Sequence, residues 1–387
     1  MDRDRFSKNS TGQIVRITLP IKDWAFIPNL LPAKWEFDVN LWPLLHEAGN
    51  RLSTLNGIGQ TLPNPDLLLR PLQSREAITS SSMEGTYVTP EQLLLYEMDP
   101  REPKSADDKK ADWLEVFNYN RALTAGCDVL EAGQPINNHM IRQIHAVLMR
   151  GVRGRSKSPG QFRDKQVQIG SNARFVHPTP TEIRHLMDNL SDNINSTDDP
   201  LDILVKSFVI HYQFETIHPF EDGNGRVGRA LLSLMIYKWC HHSKPWLYLS
   251  PYFEKYKDEY TQNMFRVSTD GEWATWIEFC LRGVVAQAND SIQRCHLFNV
   301  CRERYHQLVK SPTPRTHAII ESLFSEPLVT IVSVARKHDV TYHTAQSDVE
   351  KLADAGIVSR VDEMRPKTYF AQQLMAIAYT SNVDDIT

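Results

Sequence analysis

The stretch TIHPFEDGNGRVGR, residues 216–229, brings a base, two acids, a glycine-rich turn and two arginines together in one short segment. The residues before it have apolar positions at helical spacing, and Pro219 prevents a normal continuation of that helix. Gly223 and Gly225 can adopt dihedrals that turn successive backbone N–H groups towards one point. A second helical pattern begins directly afterwards. We therefore predict an anion-binding nest at the N-terminus of a helix.

The charged residues of this stretch suit a polyphosphate. Arg226 and Arg229 lie one helical turn apart, and paired guanidinium groups match phosphate oxygens in geometry. An acid beside a phosphate nest is explained by a bridging cation, so Asp222 is the candidate Mg²⁺ ligand and Glu221 the fallback. His218 is the candidate general base, because imidazole titrates near neutral pH. The stretch predicts nucleotidyl or phosphoryl transfer.

Two plainer interpretations fit this stretch less well. Asn-Gly is also a frequent β-hairpin turn, but its flanks would then alternate as strands, whereas here they have helical periodicity. A single histidine is usually structural, and we expect that role for four others: His177, His211, His241 and His242. His218 differs because of the acids, glycines and arginines that follow it.

Composition limits the class of protein. The chain has 387 residues, 41% hydrophobic and 23% charged, which is typical of a soluble protein of two or three domains. A net charge of −4 gives no overall attraction to nucleic acid. No apolar run is long enough to cross a bilayer and the N-terminus lacks a signal-peptide pattern, so we expect a cytoplasmic protein without membrane association. The five scattered cysteines are expected to be reduced thiols.

Helical periodicity dominates residues 110–300 and predicts a mainly α fold. The exception is 160–178, where a leading glycine and the alternation around Val167 and Ile169 indicate a short β-hairpin. The Pro-containing segment 311–317 is typical of a linker. A small unit with short helices and a β ending follows it.

These motifs resemble one known family. HPFEDGNGRVGR matches every fixed position of the Fic signature, His-x-Phe-x-(Asp/Glu)-Gly-Asn-Gly-Arg-x-x-Arg, so the chain resembles the Fic protein adenylyltransferases, which move AMP from ATP to a hydroxyl side chain of a target protein. The hairpin segment 160–178 is similar to the family's flap, on which a target segment docks as an added strand. The resemblance covers about residues 20–300 and implies a Fic-type helical bundle core with a short β-hairpin flap.

The resemblance assigns roles to individual residues. It implies that His218 deprotonates the target hydroxyl, that Asp222 holds Mg²⁺, and that Arg226 and Arg229 bind the β- and γ-phosphates so that pyrophosphate leaves. Phe220 is expected to anchor the loop from below. The expected ATP-binding set is Glu84, His218, Gly223, Asn224, Gly225, Arg226, Val227, Gly228, Arg229, Tyr260 and Asn263.

A second motif suggests regulation. REAITSSSMEGTYVT contains Ser80-x-x-x-Glu84-Gly85, which resembles the pattern of the family's inhibitory helix. Ser80 and Glu84 lie one turn apart, and the glycine can end the helix. The resemblance implies that Glu84 pairs with Arg229. An arginine held by a carboxylate cannot also bind the γ-phosphate, so autoinhibition is expected.

The adenine end is marked less clearly. A helical pattern over 251–267 can place Tyr256, Tyr260 and Asn263 on one face. By position in the family this helix closes the nucleoside pocket, with Tyr260 as the first candidate contact and Asn263 as the second.

The last unit resembles a winged helix-turn-helix domain, which commonly binds DNA. Residues 313–387 hold 7 Lys and Arg against 10 Asp and Glu, whereas a duplex-binding module should be locally basic. Homodimerisation or protein docking is therefore weighed equally with DNA binding. The expected divisions are 1–105, a helical segment with the inhibitory helix, 106–300, the catalytic domain, and 313–387.

Three functions remain open at this point. The main hypothesis is an autoinhibited enzyme that uses ATP and Mg²⁺ to modify a Ser, Thr or Tyr hydroxyl of a target or of itself. A DNA-binding regulator could instead use the same domain as a nucleotide sensor. The same loop also supports removal of AMP from a modified target, or transfer of another phosphate-containing group.

Overall fold

The computed structural model describes residues 1–18, 22–33, 35–62, 64–151, 153, 156–169, 175–198, 200–310, 312–361 and 366–380. The helices are α1 (Trp42–Thr61), α2 (Asp66–Ser82), α3 (Pro90–Met98), α4 (Lys110–Glu131), α5 (Asn138–Leu148), α6 (Pro180–Asn195), α7 (Ile203–Ile217), α8 (Asn224–Trp239), α9 (Ser250–Lys255), α10 (Lys257–Asp270), α11 (Trp273–Leu308), α12 (Pro314–Ser325), α13 (Ile331–Lys337), α14 (Tyr342–Asp354) and α15 (Gln372–Tyr379). The strands are β1 (Gly12–Ile17), β2 (Asp23–Pro28), β3 (Gln168–Ile169), β4 (Phe175–Val176), β5 (Leu328–Thr330), β6 (Ser359–Val361) and β7 (Thr368–Phe370).

The prediction of a mainly α fold is confirmed. Helix α7 runs through the centre and is buried along almost its whole length, because nearly every residue from Leu204 to Ile217 is surrounded by other helices. α7 packs on α8, α4 packs on α5, and the long α11 packs on α1. Within the described part of the chain, no helix has both the length and the apolar character that crossing a membrane requires.

The first thirty residues differ from the expected helical lead-in. β1 and β2 form an antiparallel ladder from Gly12 opposite Pro28 to Ile17 opposite Asp23. The β2 side chains Ala25 and Phe26 are fully buried, and Phe26 packs on Phe175 at a ring distance of 5.5 Å. The segment is a hairpin because its buried side chains pack against the flap, which is distant in sequence, and local periodicity does not reveal such a contact.

The flap is a short hairpin, as expected. β3 and β4 pair antiparallel, with Gln168 opposite Val176 and Ile169 opposite Phe175. The connecting residues 170–174, which belong to the predicted flap 160–178, lie outside the described residues.

The helix predicted over 251–267 is two helices. The chain leaves helical geometry at Tyr256, where φ is −116° and ψ is 41°. Seven residues of one straight helix span about 10 Å, yet the rings of Phe253 and Tyr260 lie 4.6 Å apart in a stacked pair. The break lets both rings enter the same part of the core.

The C-terminal unit has the order helix, strand, helix, helix, strand, strand, with an additional last helix. Its three strands form one antiparallel sheet in the order β5-β7-β6. This arrangement is compatible with a winged helix-turn-helix, in which α14 is the recognition helix and Gly356, at a φ of 71°, follows its end. α12 and α15 pack against α2 and α11, so the unit lies directly behind the predicted inhibitory helix.

Candidate active site

The motif loop is closed by its own side chains. His218 ends α7 in the left-handed conformation, at φ 52° and ψ 61°, and Gly223 precedes α8 at a φ of 78°. The Asn224 side chain accepts a hydrogen bond from the Phe220 backbone N–H at 2.8 Å and donates one to its carbonyl at 2.9 Å. Asn224 therefore holds the loop shut, while the N-terminus of α8 points its backbone N–H groups into the site.

Phe220 lies under this loop, fully buried, as expected. His145 of α5 stacks on it with a centroid distance of 3.8 Å. The His145 Nδ1 atom accepts from the Gly160 backbone at 2.8 Å, so its Nε2–H donates to the Asp222 carbonyl at 3.1 Å. Burial lowers the pKa of His145 to about 4, which keeps this neutral tautomer. Sequence reasoning missed His145, since nothing local connects it to a loop 75 residues away.

His218 is held in the form that a general base requires. Burial lowers its pKa to about 4, and the positive charge of Arg163 contributes in the same direction. The ring is therefore neutral at pH 7. Its Nδ1–H donates to the Glu215 carbonyl at 3.3 Å, and its face stacks on His177 at 4.1 Å. The Nε2 lone pair is consequently the one that can accept a proton.

Arg163 ties the flap to the backbone of His218, and no local sequence pattern marks it. Its guanidinium donates to the carbonyls of His218 and Pro178, both at 2.7 Å, and its backbone N–H donates to the Pro219 carbonyl at 2.9 Å. The residue is 3% exposed. One buried side chain thus fixes the position of the flap relative to the turn at His218.

The second arginine of the motif is bound by Ser80 in the last turn of α2 and by Glu84, which lies in the turn after α2 and not on the helix as predicted, because the helix ends at Ser82. Arg229 Nε donates to the Ser80 hydroxyl at 2.8 Å, and Nη2 donates to the Ser80 carbonyl at 2.8 Å and to Glu84 Oε1 at 2.7 Å. Burial would raise the pKa of Glu84, but the charge and hydrogen bond of Arg229 outweigh it, so the net shift is downward. The structure brings together two motifs that lie 145 residues apart.

Gly225 forms the floor of this contact. A methyl group at Gly225 would lie 2.2 Å from Glu84 Oε1 and 2.8 Å from Arg229 Nη1. A side chain here would displace the carboxylate, so the contact requires glycine.

The first arginine of the motif also has a carboxylate partner. Arg226 Nη1 donates to Glu115 Oε2 of α4 at 3.3 Å, and the same oxygen accepts from the Thr86 hydroxyl at 3.0 Å. Arg226, Glu84 and Asp222 line a cavity of about 320 Å³ at this end of the site. Glu115 was not predicted, because its role depends on α4 packing beside α8.

Asp222 could contribute to holding Mg²⁺. Its side chain is 48% exposed and lies 3.6 Å from Arg226 Nη2, and it accepts from the Gly223 N–H through Oδ1. Among the described residues, no group of three or more His, Cys, Asp or Glu side chains is arranged to hold a metal ion. A single carboxylate fits Mg²⁺ only if phosphate oxygens and water complete its shell, which is how this ion is commonly bound.

The remaining predicted ATP contacts lie below the nest. Val227 is fully buried in the core, and the Gly228 carbonyl accepts from His211 Nδ1 at 3.2 Å. His211 Nε2 in turn accepts from the Tyr260 hydroxyl at 2.9 Å, so Tyr260 supports α8 from within the core. Asn263 is 3% exposed, and its side-chain nitrogen has no hydrogen-bond partner among the described residues.

An apolar cavity of about 130 Å³ lies between the flap, α7 and α10. Phe175, His177, Met264 and Phe265 line it, together with Glu215. Burial raises the pKa of Glu215 to about 7, and the charge of Arg229 offsets only part of that effect. The α10 residues that line this cavity are neighbours of Tyr260 and Asn263 in sequence, not those two residues themselves.

Comparison with known proteins gives the following matches. The model of the Fic/DOC family N-terminal region matches residues 42–128, and that of the Fic/DOC family matches residues 135–236. A probable protein adenylyltransferase of Aquifex aeolicus is 39% identical over 78 residues, which are 20% of this chain and 24% of that protein. Protein adenylyltransferase fic-1 of Caenorhabditis elegans is 35% identical over 81 residues, 20% of this chain and 15% of that protein. The aligned part is thus a quarter or less of these relatives.

A solved structure extends the likeness to most of the chain. A Fic family protein from Desulfovibrio desulfuricans superposes with a TM-score of 0.57 at 20% identity, covering 87% of this chain and 97% of that one. At this identity the match shows a shared fold. The resemblance inferred from the motif is confirmed, because the two Fic/DOC family models match residues 42–128 and 135–236, just under half of the chain.

Proposed function

We propose that the chain is a protein adenylyltransferase, which transfers the AMP part of ATP to a Ser, Thr or Tyr hydroxyl of a target protein or of itself, and that α2 holds it in an inhibited state. The observation that carries the proposal is the contact of Arg229 with Ser80 and Glu84. An arginine at a phosphate nest that is occupied by the chain's own carboxylate suits a regulated enzyme better than a structural loop.

The reaction follows from the groups around the nest. The neutral Nε2 of His218 accepts the proton of the target hydroxyl, and the hydroxyl oxygen forms a bond to the α-phosphorus of ATP. The bond between the α-phosphorus and the oxygen bridging to the β-phosphate breaks, and pyrophosphate leaves. The α8 N-terminus with Gly223, Asn224 and Gly225 binds the phosphates, and Arg226 and Arg229 neutralise the charge of the leaving group.

Mg²⁺ bound at Asp222 would supply further positive charge to the phosphate oxygens when present. The nucleoside end of ATP is proposed to lie towards α10, beside the apolar cavity under the flap and near the unpaired Asn263 nitrogen.

The target segment is proposed to add to the edge of β3 that does not face β4. Strand addition lets main-chain hydrogen bonds align a peptide without a fixed sequence. Arg163 links the flap to the backbone of His218, so a docked segment has a defined distance to the base. We also propose that units 1–105, 106–300 and 313–387 divide inhibition, chemistry and control among them.

Labelling with ATP that carries ³²P at different positions tests the activity. Purified Glu84→Gly protein with Mg²⁺ should label itself or an added target protein from α-³²P ATP and not from γ-³²P ATP, because AMP is retained and pyrophosphate is released. Label from γ-³²P ATP alone would mean phosphoryl transfer. The absence of label from either nucleotide, across a proteome-scale panel of candidate targets, would contradict an adenylyltransferase.

Asp222→Ala should give a folded protein whose ATP binding no longer responds to Mg²⁺. The variant lacks the one carboxylate that would bind the ion, so the ratio of ATP affinities measured with Mg²⁺ and with EDTA should fall towards one. Glu221→Ala is the matched control, since its carboxylate is bound to Lys165 at 3.3 Å on the flap side. A Mg²⁺ response lost in Glu221→Ala and kept in Asp222→Ala would move the ligand to Glu221.

A further inference from the structure

Two buried arginines share one aspartate behind the inhibitory helix. Asp290 of α11 pairs with Arg75 of α2, and it also accepts from Arg294 through both oxygens at 2.8 and 2.9 Å. The Arg75 and Arg294 side chains are 11% and 0% exposed, and that of Asp290 is 15% exposed. We name this cluster the Asp290 relay. It is a shielded ion network rather than a surface pair, so removing one of its members is expected to destabilise the structure around it.

Arg294 connects the Asp290 relay to the C-terminal unit. Arg294 donates to the Ile377 carbonyl and, at 2.8 Å, to the Thr380 carbonyl. These groups are at the C-terminal end of α15, where a positive charge is favourable for the helix dipole. Asp290 and Arg294 therefore join α15 to α2 through one turn of α11.

Other contacts between α2 and the C-terminal unit include an exposed ion pair and a hydrogen bond between Ser74 of α2 and Tyr379 of α15. Arg70 pairs with Glu326 at 3.3 Å, but both side chains are more than half exposed, and such pairs contribute little. A cavity of about 280 Å³ lies at this junction, lined by residues of α2 and α4 and by Phe324, Leu374 and Tyr379. The junction is therefore packed only in part, and the Asp290 relay is its shielded ionic link.

We infer that the C-terminal unit is a control module that holds α2 against Arg229 through the Asp290 relay, an inference that rests on the proposed autoinhibition. The mechanical step is short, because Arg75 and Ser80 are five residues apart on one helix, about 7.5 Å along its axis. Movement of α15 takes the Arg294 side chain with it and disturbs the ion network in which Asp290 holds Arg75. α2 then loosens, and Ser80 and Glu84 leave Arg229. Any partner or ligand that shifts the C-terminal unit would in this way activate the site.

Asp290→Asn tests the relay while keeping the shape of the side chain. Removing the shared negative charge leaves two buried cations facing each other, so α2 should loosen. AMP transfer should rise at least about five-fold, the lower end of ordinary coupling between two sites. Glu278→Gln is the matched control, because it breaks an arginine pair on the exposed face of the same helix and should leave activity at the wild-type level.

Hydrogen exchange gives a readout that does not depend on activity. Asp290→Asn should increase amide exchange in residues 76–84 and leave α5 unchanged. In the double variant with Glu84→Gly, AMP transfer should be no higher than in Glu84→Gly alone, because both changes act by removing the Glu84 carboxylate from Arg229. The melting temperature shows whether Asp290→Asn still folds. If it does not, Arg75→Gln, which removes only the α2 member of the Asp290 relay, is tested by AMP transfer and by amide exchange in residues 76–84.

The two proposals fail differently. If Glu84→Gly activates while Asp290→Asn and Arg75→Gln change neither transfer nor exchange in α2, the relay is wrong and the autoinhibited enzyme stands. If exchange in α2 rises and no variant labels any protein, the mechanical coupling stands and the adenylyltransferase is wrong.

Discussion

Replacing Glu84 by glycine is expected to raise AMP transfer by about ten- to a hundred-fold. The change frees Arg229 for the γ-phosphate, and a charge-assisted hydrogen bond of this kind contributes about 1.5 to 3 kcal/mol, which corresponds to that range in productive ATP occupancy. The Glu84 side chain is 39% exposed, which favours the lower part of the range. Initial rates of labelling at equal protein concentration measure the effect.

Arg229 makes the test specific. Arg229→Ala should be inactive with or without Glu84, because the inhibited and the productive states use the same guanidinium. Glu131→Gln, which breaks a surface pair with Lys244, is the matched carboxylate control and should behave like wild type. The proposed competition would be contradicted if the Glu84→Gly, Arg229→Ala double variant labelled as strongly as Glu84→Gly alone.

His218→Ala, introduced into the active Glu84→Gly protein, should reduce transfer by about 10²- to 10⁴-fold, the usual contribution of a positioned general base. ATP affinity should stay within about two-fold, since the imidazole acts on the incoming hydroxyl and contributes little to nucleotide binding. Calorimetry with ATP separates the two effects. His185→Ala, which removes an exposed histidine of α6, is the control. Loss of ATP binding together with activity would show that His218 holds the nucleotide instead.

The pH profile gives a second readout for the same group. Because burial lowers the pKa of His218 to about 4, the ring remains in its neutral, basic form well below neutrality. The rate should therefore not fall between about pH 7 and 5.5, where an exposed imidazole would become protonated. Removing Glu84 takes away a nearby negative charge that raises this pKa, so the acid limb should not move upwards in Glu84→Gly. An acid limb in kcat/KM centred near 6.5 would contradict the assignment of His218.

The parts of the site that sequence could predict are those fixed by local backbone chemistry. His218 before Pro219 and the glycines around Asn224 determine the turn, the nest and the start of α8 from short-range rules alone. The pairing of Glu84 with Arg229 came from a resemblance and not from spacing, and the structure places the two side chains 2.7 Å apart.

The parts that sequence did not predict depend on long-range packing. His145, Arg163 and Glu115 each act through a partner 55 or more residues away, so no periodicity marks them. The β1–β2 hairpin and the break at Tyr256 have the same cause, because buried rings from distant segments decide the local conformation.

Because residue 225 is a glycine, the Glu84 carboxylate lies directly against the backbone of the nest. The strength of the proposed inhibition can therefore be expressed as a competition for this position. In the proposed autoinhibition, the carboxylate acts as a tethered anion that competes with the nucleotide, and the strength of this competition is an effective concentration set by how firmly α2 is held. The apparent dissociation constant of ATP for productive binding is the intrinsic dissociation constant divided by the fraction of molecules in which the tethered anion has left. At a constant ATP concentration, the proposed activity would therefore change whenever that fraction changes.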